Sequence, residues 1–361
     1  MLVKENSRCS GDLVRMLKSA LNGRNVVIGL TACCLTMSIP AQATHLLNYT
    51  AADVGADDQV AREAISSRVE KLLKSEDFAA LNTMADDFRT TRARTPSGVW
   101  KLRVLHMSIR NYIAESQSGE GCVSAAHPML KRWMEFNPAA PLPPISEANT
   151  LLEQAWCKRY DGAWGTDAFL ADAGEAEQML ATHKTNAAID PEFFATAEDV
   201  AFVTKPDKAD FKRLLDEGVA REPGYYGLYF SAMKYYVPHA YGSTREVDDL
   251  ARFAAEKTAS TDGAGAYARV YWAYLDCGCA LWGSSIDWPL MKRSMAEVVD
   301  HYHSDWNIVT FAKISCRMRD PLEAAKYFRQ VRHDNGLAWD NSEDRSRCRK
   351  FAGFGGKKAS R

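Results

Sequence analysis

Apolar residues return every three to four positions from Glu222 to Trp272, and that spacing decides what this chain can fold into. Tyr225, Tyr226, Tyr229, Phe230, Met233 and Tyr236 make one broad face of a helix that Pro223 is expected to open. Proline suits a first helical turn because its missing N–H has no helical partner there. Leu228 and Tyr235 fall on the other side. A helix apolar on two sides is sandwiched between neighbours, as in stacked helix pairs. Pro238 ends it, and Tyr241-Gly242 makes the turn. Ser243 then stands three residues before Glu246, which is the capping-box pattern. Val247, Leu250, Ala251 and Ala254 carry the second helix; Tyr267, Val270, Tyr271, Tyr274 and Leu275 stripe a third. The spacing assigns the tyrosines to core. Leu228 and Tyr235, on the second apolar side, are the candidate binding-surface positions.

The same theme runs through the rest of the chain. Val60, Ala64, Ile65, Val69, Leu72 and Leu73 predict a helix, and another follows over Phe78 to Phe88. Thr95-Pro96-Ser97-Gly98 breaks the chain before a stripe of Trp100, Leu105, Ile109, Tyr112 and Ile113. The run NPAAPLPP, Asn137 to Pro144, reads as a linker between an N-terminal helical cap (44–137) and a helical-repeat domain (145–340). Asp190-Pro191 with Phe193-Phe194 matches Glu222-Pro223 with Tyr225-Tyr226 at an offset of 32 residues. That period fits tetratricopeptide-type helix pairs. Met291, Met295, Val298, Val299 and Tyr302 make a later helix, and Ala324, Tyr327, Phe328 and Val331 close the array. From 341 to 361 the chain is polar and basic and is expected to be a disordered tail. Few runs alternate with a period of two, so strands should be rare.

The N-terminus points to export. Arg15, Lys18 and Arg24 precede an apolar run from Val26 to Ile39, then Pro40 and Ala41-Gln42-Ala43. This order is that of a secretory signal over 1–43, cut after Ala43, with translation starting at Met1 or Met16. The run is shorter than the about 20 residues a membrane span needs, so no stable membrane insertion is expected. Leu30-Thr31-Ala32-Cys33 offers the rival reading of a lipoprotein box with lipidated Cys33. Localisation is therefore expected to be secreted or periplasmic. A cut after Ala43 leaves six cysteines, Cys122, Cys157, Cys277, Cys279, Cys316 and Cys348, and at least one disulfide is expected among them. The formal net charge of -1 gives no basic footprint for nucleic acid.

Candidate chemistry is thin. Cys277-Gly278-Cys279 and His301-Tyr302-His303 are ligand types for zinc or copper, but their spacings are not those of usual zinc sites. Asp86-Asp87 and Asp248-Asp249 read as solvated helix faces. Glu115-Ser116 is similar to the Glu-Ser of peptidoglycan-cleaving lytic transglycosylases, yet the Gly-Leu-Met-Gln segment of those enzymes is absent, so a helix end is expected there. No phosphate loop, nucleophile elbow or His-Glu-x-x-His motif occurs. No catalytic residue, cofactor or metal is assigned.

One resemblance can be named. Tyr241-Gly242-Ser243, Tyr267-Ala268-Arg269-Val270-Tyr271-Trp272, Trp288 with Met291-Lys292, and Asn307 through Phe311-Ala312 to Cys316 and Asp320 resemble an uncharacterised bacterial domain-of-unknown-function family of tetratricopeptide-like helical proteins, over about 190–339. The resemblance implies a fold and no activity. The expectation is an all-α helix-pair array, extending to a right-handed superhelix, that binds a protein or peptide partner. The alternative is a cell-envelope glycan hydrolase or lyase on a helical scaffold.

Overall fold

A computed structural model describes residues 58–116, 122–158, 167–204, 207–334, 336 and 338–354. The expected signal segment, the Cys33 lipid site and the leader up to Asp57 lie outside the described residues. Fifteen helices are described. They are α1 Asp58–Lys74, α2 Phe78–Thr91, α3 Lys101–Ser116, α4 His127–Phe136, α5 Leu142–Lys158, α6 Asp167–Ala187, α7 Glu192–Thr204, α8 Lys208–Arg221, α9 Gly227–Tyr236, α10 Thr244–Asp262, α11 Gly265–Asp276, α12 Trp288–His301, α13 Asp305–Arg317, α14 Pro321–Phe328 and α15 Ser342–Phe351. Among the described residues the only strand-like pairing is a single bridge between Arg94 and Trp100. The fold is all-α. No described helix is long and apolar enough to cross a membrane.

From α4 to α14 each helix packs against the next along the chain, and α3, α5, α7, α9 and α11 also pack in a central row, each against the next. Trp272 of α11 extends that row to α13 through Trp306 and Phe311. This packing is compatible with stacked helix pairs, in which one member of each pair is covered on both sides by its neighbours. It explains why α7 and α9 are buried on nearly every face. Caps fall where side chains can satisfy orphan amides. Ser243 Oγ accepts from Glu246 N at 3.2 Å, the first half of the expected capping box, while Glu246 Oε2 accepts the Ser243 hydroxyl at 2.9 Å rather than its backbone N–H. Gly242 lets the turn before it close, since a Cβ there would lie 2.1 Å from Tyr236 O.

The 32-residue match is real at the level of the turn. Asp190 O accepts Phe193 N, and Glu222 O accepts Tyr225 N, both at 3.0 Å. The helices that follow start differently, however. α7 begins directly after Pro191, whereas Pro223 stays in the turn and α9 begins only at Gly227.

Three boundaries are corrected. Leu142-Pro143-Pro144 is no linker but the buried first turn of α5, where missing N–H groups cost no helical bond. The N-terminal helices are not a separate cap: α3 packs on α5, and α1 reaches α13. Residues 342–351 form helix α15, capped by Asn341 and tied through Cys348 to Cys316 of α13. Its polarity hid it, because a cross-link and not an apolar stripe holds it.

Cys122–Cys157 and Cys316–Cys348 stand as disulfide pairs, each with Cα atoms 5.7 Å apart.

Candidate functional site

Helix α3 carries Arg103, His106 and Arg110 on one face, at positions i, i+3 and i+7. That face meets α5, α7 and the turn before α7, and there each cation finds an anion. His106 Nε2 lies 3.1 Å from Asp190 Oδ2, and both residues are buried. Arg89 approaches the same carboxylate at 3.5 Å. Arg103 pairs with Glu192, whose second oxygen accepts Tyr225 OH at 2.5 Å. Arg110 Nε donates to Glu153 Oε1 at 2.7 Å, and its Nη1 lies 3.8 Å from Asp199 Oδ2, whose other oxygen accepts Lys234 Nζ at 2.7 Å.

The electrostatics follow from this pairing. Burial opposes charge on His106, but the Asp190 carboxylate outweighs it and holds the imidazole above its usual range. Burial likewise opposes charge on Asp190 and Asp199. His106 and Arg89 keep the first ionised, Lys234 and Arg110 the second, and both carboxyls sit below their usual range. Glu198 is the exception. It is fully buried on α7, and no side chain donates to either carboxyl oxygen. Burial, then the charge of Asp199, pushes it well above the usual glutamate range.

Above this ladder is a small cleft lined by His106, Ile109, Arg110, Ile113, Ser146, Asn149, Thr150 and Glu153. Its interior volume is about 10 Å³, on the order of one water molecule. The floor is fixed: Asn149 Nδ2 donates to Ile145 O at 3.1 Å and Thr196 Oγ1 at 3.0 Å, and Thr150 Oγ1 donates to Ser146 O at 2.8 Å. Arg110 and Glu153 form its partly exposed rim. Helix faces hold every lining residue, so the cleft is rigid.

A second polar cluster lies further along the central row. The turn from Arg92 to Trp100, which we term the strap, packs on α11 and α13. Ser97 O accepts Arg269 Nη2 at 2.6 Å and Asn307 Nδ2 at 3.1 Å, while Ser97 N donates to Asp58 Oδ1 at 2.8 Å. Gly98 has φ +88°, and a Cβ there would meet both Arg269 and Tyr302 at 2.7 Å. Arg94 enters a cage of Trp100, Tyr226 and Tyr302, with ring centres 5.8, 5.3 and 5.7 Å from its guanidinium carbon.

The candidate surface positions are corrected here. Leu228 is 0 % and Tyr235 2 % exposed. Tyr235 stacks on Phe211 of α8 with ring centres 3.9 Å apart. Both apolar sides of α9 are covered, because α7 packs on one and α10 and α11 on others. Asp86 and Asp87 are exposed, as read, but Asp248 is buried and accepts the hydroxyls of Tyr267 and Tyr271. Glu115-Ser116 closes α3. Cys277 and Cys279 are buried; Cys279 Sγ approaches His239 Nδ1 at 3.9 Å, while His301 Nδ1 bonds Glu297 O at 2.7 Å. No group of three His, Cys, Asp or Glu with metal-holding geometry occurs among the described residues.

Sequence reading missed the ladder and the cleft. One signal was present: Glu198-Asp199 interrupts the otherwise apolar run of α7, where charges face protein rather than water. No protein-family model, curated protein or solved structure matches this chain.

Proposed function

We propose that this is an exported helical-repeat protein, of the tetratricopeptide-like kind that its sequence resembles, whose work is to bind a protein or peptide partner. The observation that carries this reading is the cleft between α3 and α5. Its rim offers a guanidinium and a carboxylate, Arg110 and Glu153, held by rigid helices over a polar floor, groups that the polar atoms of a partner can meet. Its carboxylate, Glu153, is engaged by Arg110. Glycan hydrolysis needs two carboxyl groups about 5–10 Å apart across a sugar, and a cleft of one-water size lined by one carboxylate gives that alternative no support. Two disulfide pairs agree with an oxidising compartment.

The test is Glu153→Gln, which removes the rim charge but keeps an acceptor for Arg110. Capture of the partner from the native host should weaken about tenfold or more while the melting temperature holds within a few degrees. Unchanged capture by the folded variant would move the binding surface elsewhere.

A further inference from the structure

The Arg94 cage has the composition of a ligand site, and the chain itself fills it: Arg94 enters from the strap, and Arg269 of α11 lies across the same rings, 4.9 Å from the centre of Tyr226 and 5.6 Å from that of Tyr302. Two walls belong to the helical array: Tyr226 directly precedes α9, and Tyr302 caps α12. The cage is braced without Arg94. Asp262, 2 % exposed, accepts Tyr226 OH at 2.6 Å and Tyr302 OH at 2.8 Å, which fixes both rings and sets a carboxylate between them. Trp100, the third wall, is held edge-on against Tyr225 at 5.3 Å. Arg94 adds a long contact to Asp262, 3.4 Å, and a donor bond to Gly98 O at 2.8 Å within its own strap. The floor beneath the guanidinium is Gly224, where a Cβ would stand 3.1 Å from Arg94 Nη2 and crowd it.

The strap also leaves polar atoms around it unused. Trp100 Nε1, Arg269 Nε and Asn307 Oδ1 are buried with no hydrogen-bond partner. Buried polar groups are ordinarily satisfied, so two donors and one acceptor left open beside one segment mark a surface that this segment fills incompletely. A planar cation among aromatic rings and a carboxylate is the arrangement that selects guanidinium over ammonium. The open donors and acceptor beside it match the carbonyl and amide groups of an extended main chain.

We propose that this cage is an arginine-binding site which the chain fills with its own Arg94, and that the ligand it takes in exchange is the arginine side chain of an extended peptide. The strap is then a tethered competitor: binding in trans lifts the turn at Pro96 off α11 and α13. The cage is separate from the α3–α5 cleft, so failure of one assignment leaves the other standing.

The experiment removes Arg94 from the cage, leaving Arg269 in place, and offers the lost side chain back. Arg94→Ala and Arg94→Gln are made in the full mature chain, and melting temperature is followed against N-acetyl-arginine amide, with N-acetyl-lysine amide as the control. The variants should melt below the wild type. The arginine compound should raise them by roughly 2 °C at ten times its dissociation constant, and further with the logarithm of its concentration, and should leave the wild type unmoved because Arg94 already fills the site. Should neither variant fold alone, refolding yield in each compound replaces the melting readout. No arginine-dependent gain, or a gain matched by the lysine compound or by the wild type, overturns the proposal.

Discussion

Glu198→Gln should make this protein more resistant to alkaline destabilisation, and the size of the effect follows from burial. Glu198 is 0 % exposed, no side chain donates to its oxygens, and Asp199 beside it is held ionised. The folded carboxyl is therefore raised above its unfolded value of about 4.5. A raised folded value means that the folded state binds the extra proton. Stability from this group is full below about pH 4.5 and falls as pH climbs towards the folded value. The slope is about 1.4 kcal/mol per pH unit across that window. Glutamine is nearly isosteric and does not titrate, so any fixed packing difference drops out of the slope. His106 is raised as well and loses stability in the same direction, but it is present in both proteins and cancels. Urea unfolding of both proteins at pH 5, 6, 7 and 8 reads the difference directly. The variant should gain on the wild type by up to about 1.4 kcal/mol with each unit. A difference flat with pH, or a variant weaker by about 3–5 kcal/mol throughout, would show that Glu198 is ionised and paired, and the reasoning would fail.

Other outcomes follow from the same packing. Peptide mapping without reductant should recover Cys122 linked to Cys157 and Cys316 linked to Cys348; other partners for these four would contradict the structure. Reduction should cost roughly 2–4 kcal/mol for each bridge, given loops of 35 and 32 residues, read as a lower urea midpoint. Tyr235→Ala should cost about 3–5 kcal/mol because it empties the stack on Phe211. A loss below about 1 kcal/mol would return Tyr235 to the surface. Asp190→Asn should cost about 3–5 kcal/mol by stranding His106 and Arg89 beside a neutral amide; thermal unfolding checks it, and a near-neutral effect would mean that the ladder is not ionised.

How much of this was legible depends on which force fixes each part. Helices were legible wherever burial makes a stripe: the faces carrying Tyr225 to Tyr236 and Met291 to Tyr302 announce themselves. Local hydrogen bonding was legible too, in Ser243 with Glu246. What the stripes could not give was how each helix is covered. Leu228 and Tyr235 looked like spare surface because a one-dimensional pattern counts apolar faces without counting neighbours. Helix α15 has almost no apolar face, so its order rests on Cys348 and on ion pairs such as Arg317 with Asp344. The ladder escaped because its partners are far apart in the chain, as Arg103 and Glu192 are, and charged residues on helices ordinarily face water. The strap escaped for the same reason: Ser97 and Asn307 meet across 210 residues, and nothing local foretells it.

The most direct test of the binding account is site-specific photo-crosslinking in the native host. A photoreactive residue replaces Ala114, the exposed position one turn beyond Arg110 on α3, or, as a control, the 81 % exposed Leu322 on α14. Cross-linked species are identified by mass spectrometry beside an assay of the purified protein on cell-wall glycan. The account predicts one defined protein or peptide adduct from position 114, absent from position 322 and diminished by Glu153→Gln, with no glycan turnover. Glycan cleavage that a single Asp or Glu substitution abolishes in a folded protein, with no adduct from the cleft, would contradict it.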